Sequence, residues 1–146
     1  MVAGQDVNMR ALMTWTAAAV AAAALAAPNA ALAAGQDLTG AWTGGYVSTD
    51  KGDINTFEMK LKSAGATFSG TATEVNIFGD AEVLFLTSMI QGTIKPDGAV
   101  SFVKTYDGAG GVSHSVNYTG RLDPTGRRIK GAYRVDATSG KFEMVR

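Results

Sequence analysis

The chain has 146 residues with no cysteine, one histidine, and thirteen basic against thirteen acidic side chains. The missing thiols exclude cysteine nucleophiles, thiolate metal sites and disulfides, and the balanced charge leaves no basic footprint for nucleic acid or an anionic membrane. Hydrophobic residues make up 46%, but much of that is alanine within the first 34 residues, so the remainder is less apolar than the average suggests.

Residues 1–34 read as a secretory signal peptide. A single positive charge, Arg10, precedes an apolar run from Ala11 to Ala27; Pro28-Asn29 breaks that run, and Ala31-Leu32-Ala33 supplies the small residues of a cleavage site. The run is about 17 residues long, short of the roughly 20 that cross a bilayer, which favours a cleaved leader over a membrane anchor. Met9 is a second candidate start, because Asp6 is foreign to the basic opening of such a leader. The leader is of bacterial type, so the expected destination is the periplasm or the medium. Residues 35–146, about 112 in number, then form one domain long enough to bury a core without disulfide staples.

From there the hydrophobic period is two almost throughout, the mark of half-buried strands. Predicted strands run roughly 39–48, 55–63, 67–75, 82–87, 89–95, 99–106, 113–122 and 128–136, with 140–146 as a ninth or as the closing partner of the first. In the second, Phe57, Met59 and Leu61 alternate with Glu58, Lys60 and Lys62. The stretch 82–95 is too apolar to alternate and reads as two strands, one long bent strand or a short helix; one strand there brings the total to eight. Further on, Val100, Phe102, Lys104 and Tyr106 share a face, as do His114, Val116, Tyr118 and Leu122. Ile129, Tyr133 and Val135 form another set, and Phe142, Met144 and Arg146 the last. Lys95-Pro96-Asp97-Gly98 and Asp123-Pro124-Thr125-Gly126 are turns in which proline presets φ and glycine supplies positive φ. Residues 63–67 and 137–141 are expected as shorter hairpin links. Many short strands joined by tight turns imply an all-β sandwich or an antiparallel up-and-down barrel. The barrel is preferred, because closing a meander removes the edge strands that would otherwise aggregate.

Near the start, Leu38-Thr39-Gly40-Ala41-Trp42 carries a Gly-x-Trp, and Arg146 ends the last strand. The combination resembles the calycin superfamily of lipocalins, fatty-acid-binding proteins and avidins. That resemblance implies that Trp42 plugs one end of the barrel and that Arg146 stacks over it, with Arg134 as the substitute in another register. A cation over an indole face is worth about 0.5–2 kcal/mol. The segment from Phe57 to Val75, including Phe68-Ser69-Gly70-Thr71, is also similar to early avidin strands. Where avidins hold the Asn/Ser pair for the biotin ureido group, however, this chain has Gly45, Tyr46, Val47 and Ser48, and Trp42 is the only tryptophan after the leader. The resemblance therefore transfers a fold, an eight-stranded calycin-like β-barrel, and biotin binding is not expected.

If Phe57, Phe102 and Phe142 face inward, parity carries Lys104, Tyr106, His114, Tyr118 and Tyr133 inward with them. Together with Tyr46 these are the candidate ligand-binding residues, since phenols and an imidazole at one end of a small barrel make an apolar pocket with few convergent polar groups. A second reading places them at the rims, bonding to loops and water. A buried Lys104 would need a carboxylate or an anionic ligand; the expectation is a buried stem with its ammonium at the rim. His114 has no assigned Ser or Asp partner, and no catalytic residue, metal site or cofactor is expected. Asp50, Asp53, Asn55 and Glu58 cluster around Gly52 without the spacing of a calcium loop. The glycine-rich residues 107–111 precede no helix that could hold a phosphate. The expected function is binding of a small apolar or aromatic ligand by an exported, non-enzymatic barrel. The alternatives are a filled barrel acting through its loops as a secreted inhibitor or envelope accessory protein, and a minor enzyme built on His114 and the tyrosines. Assembly into a homo-oligomer is open.

Overall fold

A computed structural model describes residues 36–48 and 52–146; the predicted leader and Asp50 lie outside them. Eight strands follow one another: β1 (Gly40–Ser48), β2 (Ile54–Ala64), β3 (Thr67–Val75), β4 (Phe85–Ile94), β5 (Ala99–Tyr106), β6 (Ser115–Leu122), β7 (Arg128–Val135) and β8 (Thr138–Val145). Each pairs antiparallel with the next, and β8 returns to β1, so the sheet closes into an up-and-down barrel.

Strand chemistry follows the pleat. On β2 the side chains of Asn55, Phe57, Met59 and Leu61 are buried while Thr56, Glu58, Lys60 and Lys62 stand in water. Alternation of this kind fixes the register, because a slip of one residue would turn every apolar side chain outward. Inside, Phe102 stacks on Tyr118 with ring centres 4.6 Å apart and meets Phe142 edge-on at 5.8 Å. At the β6–β7 pair Gly120 faces Gly131. A Cβ on Gly131 would overlap the Thr119 carbonyl, so glycine there permits the close approach that tight coiling of the sheet requires.

Two sequence expectations are corrected. Of the alternatives for 82–95 the single strand holds, bringing the total to eight, and the correction there is to its start, which is Phe85. Residues 76–84 form a loop organised by Asn76. Its Oδ1 accepts from the N–H groups of Phe78 and Gly79, and its Nδ2 donates to the carbonyls of Asp80 and Val83. The last hairpin turns at Asp136-Ala137, not over 137–141, with Asp136 at φ 48°. Gly140, which read as a turn residue, lies within β8 opposite Tyr133. A Cβ on Gly140 would overlap the Val47 carbonyl and sit 2.5 Å from Tyr133 Cε1, so glycine there makes room for the neighbouring strand and for the ring.

One end of the barrel is sealed. The β2–β3, β4–β5 and β6–β7 turns gather there with residues 36–39 and the chain's last residue. Trp42 is 1% exposed, and its Nε1 donates to the Leu38 carbonyl at 2.8 Å. The Arg146 guanidinium lies 4.8 Å above the Trp42 ring. It also donates to the carbonyls of Gly126 at 2.8 Å and Asp37 at 2.7 Å, which ties three separate segments over the plug. Arg134 instead points outward and reaches the Asp136 carbonyl. Truncating the plug should be costly. Trp42→Ala is expected to lower the unfolding free energy by about 3–5 kcal/mol, and Arg146→Met by about 1–3 kcal/mol. Urea denaturation followed by circular dichroism measures both, and a loss below about 1 kcal/mol for Trp42→Ala would show that the plug is not structural.

Candidate functional site

Among the described residues the other end is open, and it is built from different chemistry. The β3–β4, β5–β6 and β7–β8 connections surround it, and within it lies a cavity of about 660 Å³. All four tyrosines of the chain, Tyr46, Tyr106, Tyr118 and Tyr133, line this one cavity. Val116 and Val135 add aliphatic wall, and the 76–84 loop brings Ile77 and Phe78 to the mouth. Phe78 packs edge-on against Tyr106 with centres 5.8 Å apart.

Behind the cavity wall is a buried ion pair, of which Lys104 lines the cavity and Glu74 does not. Glu74 on β3 and Lys104 on β5 face inward from strands that flank β4, with Lys104 Nζ 2.9 Å from Glu74 Oε2 and their side chains 1% and 2% exposed. The Tyr106 hydroxyl donates to Glu74 Oε1, so both carboxylate oxygens are engaged. The ammonium also lies 4.7 Å from the Tyr106 ring centre, 5.1 Å from Tyr46 and 5.8 Å from Tyr118. An ammonium removed from water needs compensation of this kind, an opposite charge and the negative faces of rings. The expectation that Lys104 carries its charge to the rim is therefore corrected: Glu74 supplies a partner inside.

The remaining phenols divide by their hydrogen bonds. Asn55 Nδ2 donates to the Tyr46 hydroxyl at 2.6 Å, and the Tyr133 hydroxyl donates to the Val47 carbonyl at 3.2 Å. Tyr118 is 2% exposed, yet its hydroxyl has no hydrogen-bond partner among the described residues while the residue lines the cavity. His114 departs from its parity expectation. It precedes the first residue of β6, so strand alternation does not bind it; it stands exposed at the rim against the rings of Tyr106 and Phe78, and from there it lines the same cavity as the tyrosines. Glu74 and Asn55 were missed by sequence reasoning, although Glu74 shares the parity of Phe68 and Ala72, and Asn55 that of Phe57. The acidic cluster around Gly52 does not converge: Asn55 points inward, whereas Asp53 and Glu58 are exposed.

Burial sets the protonation of the site. It pushes the Tyr46 phenol up to about 12, reinforced by the Glu74 charge and partly offset by hydrogen bonds with Asn55 and Tyr106. Tyr106 and Tyr118 are raised further, again first by burial and then by Glu74. Desolvation lowers Lys104, and the carboxylate beside it works against that shift.

No protein-family profile and no curated protein matches the chain. Solved structures do. A redesigned β-barrel, b11L5F_LGL, superposes with a TM-score of 0.61 at 18% identity, over 75% of this chain and 90% of that one. A second redesigned β-barrel, mFAP1, solved bound to DFHBI, gives 0.59 at 15% identity over 77% and 97%. Likeness at such identities speaks to the fold alone, a closed eight-stranded antiparallel β-barrel, with no family attached.

Breaking the ion pair from one side should cost about 3–5 kcal/mol, because the surviving partner is left charged and buried. Glu74→Leu or Lys104→Met alone is thus expected to shift the urea midpoint strongly, and the double variant to regain at least half of the summed loss. Strict additivity in this cycle would show that the two charges do not depend on each other. Stability should also fall in alkali. Below about pH 10 the phenols are protonated in both states; above it the unfolded chain releases phenolic protons that Tyr46, Tyr106 and Tyr118 retain in the fold. Lys104, with its lowered value, acts in the opposite sense between that value and 10.5, as one group against three. Ultraviolet detection of phenolate should therefore rise together with loss of β structure, and tyrosines that titrate freely near pH 10 in the folded barrel would contradict this burial.

Proposed function

We propose that this protein is an exported, non-enzymatic barrel that binds a small apolar or aromatic molecule in its open end. The observation that carries this reading is the asymmetry of the interior. One half is filled and stapled by Trp42 and Arg146, while the other holds a cavity of about 660 Å³ walled by tyrosines around a few polar groups. That volume falls within the usual range for small-molecule sites. It is consistent with this reading that the redesigned barrel mFAP1, a neighbour in fold, was solved with a small molecule bound. Export rests on the leader-like residues 1–34.

A second reading, a protein-interaction barrel, draws on a different observation: Leu84, Phe85 and Met89 are each more than half exposed along β4 and its approach. Native mass spectrometry of protein recovered from the periplasm or medium separates the two. The expected spectrum shows a chain shortened by about 34 residues that releases a small-molecule mass on denaturation. An unshortened chain would remove the export proposal. A ligand-free barrel that copurifies with a second protein would replace the binding proposal with the interaction reading.

A further inference from the structure

We propose that the cavity selects an uncharged aromatic molecule carrying a hydrogen-bond acceptor at its buried end, and that Tyr118 is the residue that reads this acceptor. The inference rests on the ligand-binding reading above and adds to it the chemical class of the ligand.

Charge is the first discriminator. Lys104 lines the cavity and is paired at 2.9 Å with Glu74, which does not line it, so the ammonium's field is largely offset at the distance of an incoming ligand. A ligand carboxylate drawn to Lys104 would meet Glu74 beside it, and a ligand ammonium drawn to Glu74 would meet Lys104. Either would give up its hydration for little return, since a desolvated charge without a partner of its own is strongly penalised. An uncharged ligand avoids that penalty.

Donor and acceptor supply is the second. Both Glu74 oxygens are taken, by Lys104 and Tyr106, and the Tyr46 oxygen accepts from Asn55. Tyr133 donates to Val47. The Tyr118 hydroxyl is left without a partner among the described residues, on a side chain 2% exposed that lines the cavity. Burial and the nearby Glu74 charge keep this phenol protonated, so it presents a neutral O–H. Lys104 adds to the surplus, because an ammonium has three N–H groups and only one is given to Glu74. Against these donors the inner lining offers one uncommitted amide oxygen, Asn55 Oδ1, so donors are in surplus and a ligand that brings an acceptor is matched.

Shape is the third. The Tyr118 ring is held parallel to Phe102 at an interplanar angle of 4°, and Tyr46 meets Tyr133 edge-on with centres 5.3 Å apart. Flat rings that stack or abut edge-to-face suit such walls better than flexible chains.

Four probes of one shape test the proposal by calorimetric titration of the full chain: methyl naphthyl ketone, ethylnaphthalene, naphthoate and naphthylmethylammonium. The ketone is expected to bind about 3- to 10-fold more tightly than ethylnaphthalene, the equivalent of one neutral hydrogen bond, and more tightly than either ion. Tyr118→Phe should erase the advantage of the ketone, with ethylnaphthalene binding at least as tightly as before because no buried hydroxyl is left unpaired, a pattern that general loosening of the barrel would not produce. Naphthoate or naphthylmethylammonium binding as tightly as the ketone would overturn the neutral class while leaving the binding reading intact. An unchanged ketone advantage in Tyr118→Phe would overturn the role of Tyr118. Absence of binding by all four would overturn both this inference and the ligand-binding reading beneath it.

Discussion

Pairing between β1 and β8 runs from Thr43 opposite Val145 to Ser48 opposite Gly140. It joins the first strand to the last and leaves the sheet no edge. Everything else in the molecule depends on that closure. An open meander of these strands would expose a row of unpaired N–H and C=O groups at each side, and its inward face would have nothing to pack against. Once closed, the same face becomes a shared interior in which Phe57, Phe102 and Phe142 meet from distant parts of the chain. The thermodynamic gain has a kinetic cost, because the closing contacts span nearly the whole domain and cannot form until the intervening strands are ordered.

Closure also explains how two charges come to lie in an apolar interior. On separate strands, Glu74 and Lys104 would each face solvent. Curling β3, β4 and β5 around a small barrel brings them within hydrogen-bond distance across β4, with Tyr106 on the free carboxylate oxygen. Every buried polar side-chain atom among the described residues then has a partner or reaches the cavity. Well-packed apolar residues of similar size often serve as well energetically as a buried ion pair, whereas loss of one partner alone is costly. Here the network also divides the interior, with a solid half toward Trp42 and a polar layer behind the cavity wall.

The sealed end and the open end thus have separate work. Arg146 binds carbonyls from the Asp37–Thr39 entry segment and the Gly126 turn while covering Trp42, so that half can stay rigid. The mouth is bordered by loops, and the 76–84 loop takes its form from the hydrogen bonds of one side chain, Asn76.

How much of this was legible in the chain follows from what period two can and cannot encode. Alternation in "TFEMKLKS" and "VSFVKTY" identified strands and their inward faces, Pro-Asp-Gly and Asp-Pro-x-Gly located two turns, and Gly40-x-Trp42 with Arg146 pointed to the plugged barrel. Parity likewise placed Tyr118 and Tyr133 on inward faces. It says nothing, however, about the depth or the angle around the barrel at which an inward residue sits. For that reason Lys104 was expected at the rim, Glu74 went unassigned as its partner, and His114 was carried inward from a position just outside its strand. Gly140 misled for a related reason, because a glycine that makes room for the Tyr133 ring looks the same in sequence as one that turns a hairpin. The sequence by itself determined which residues face inward and where the chain can turn, since both are local properties of the backbone. Only the tertiary structure decided which inward residues meet, because the register and curvature of eight strands are set together when the barrel closes.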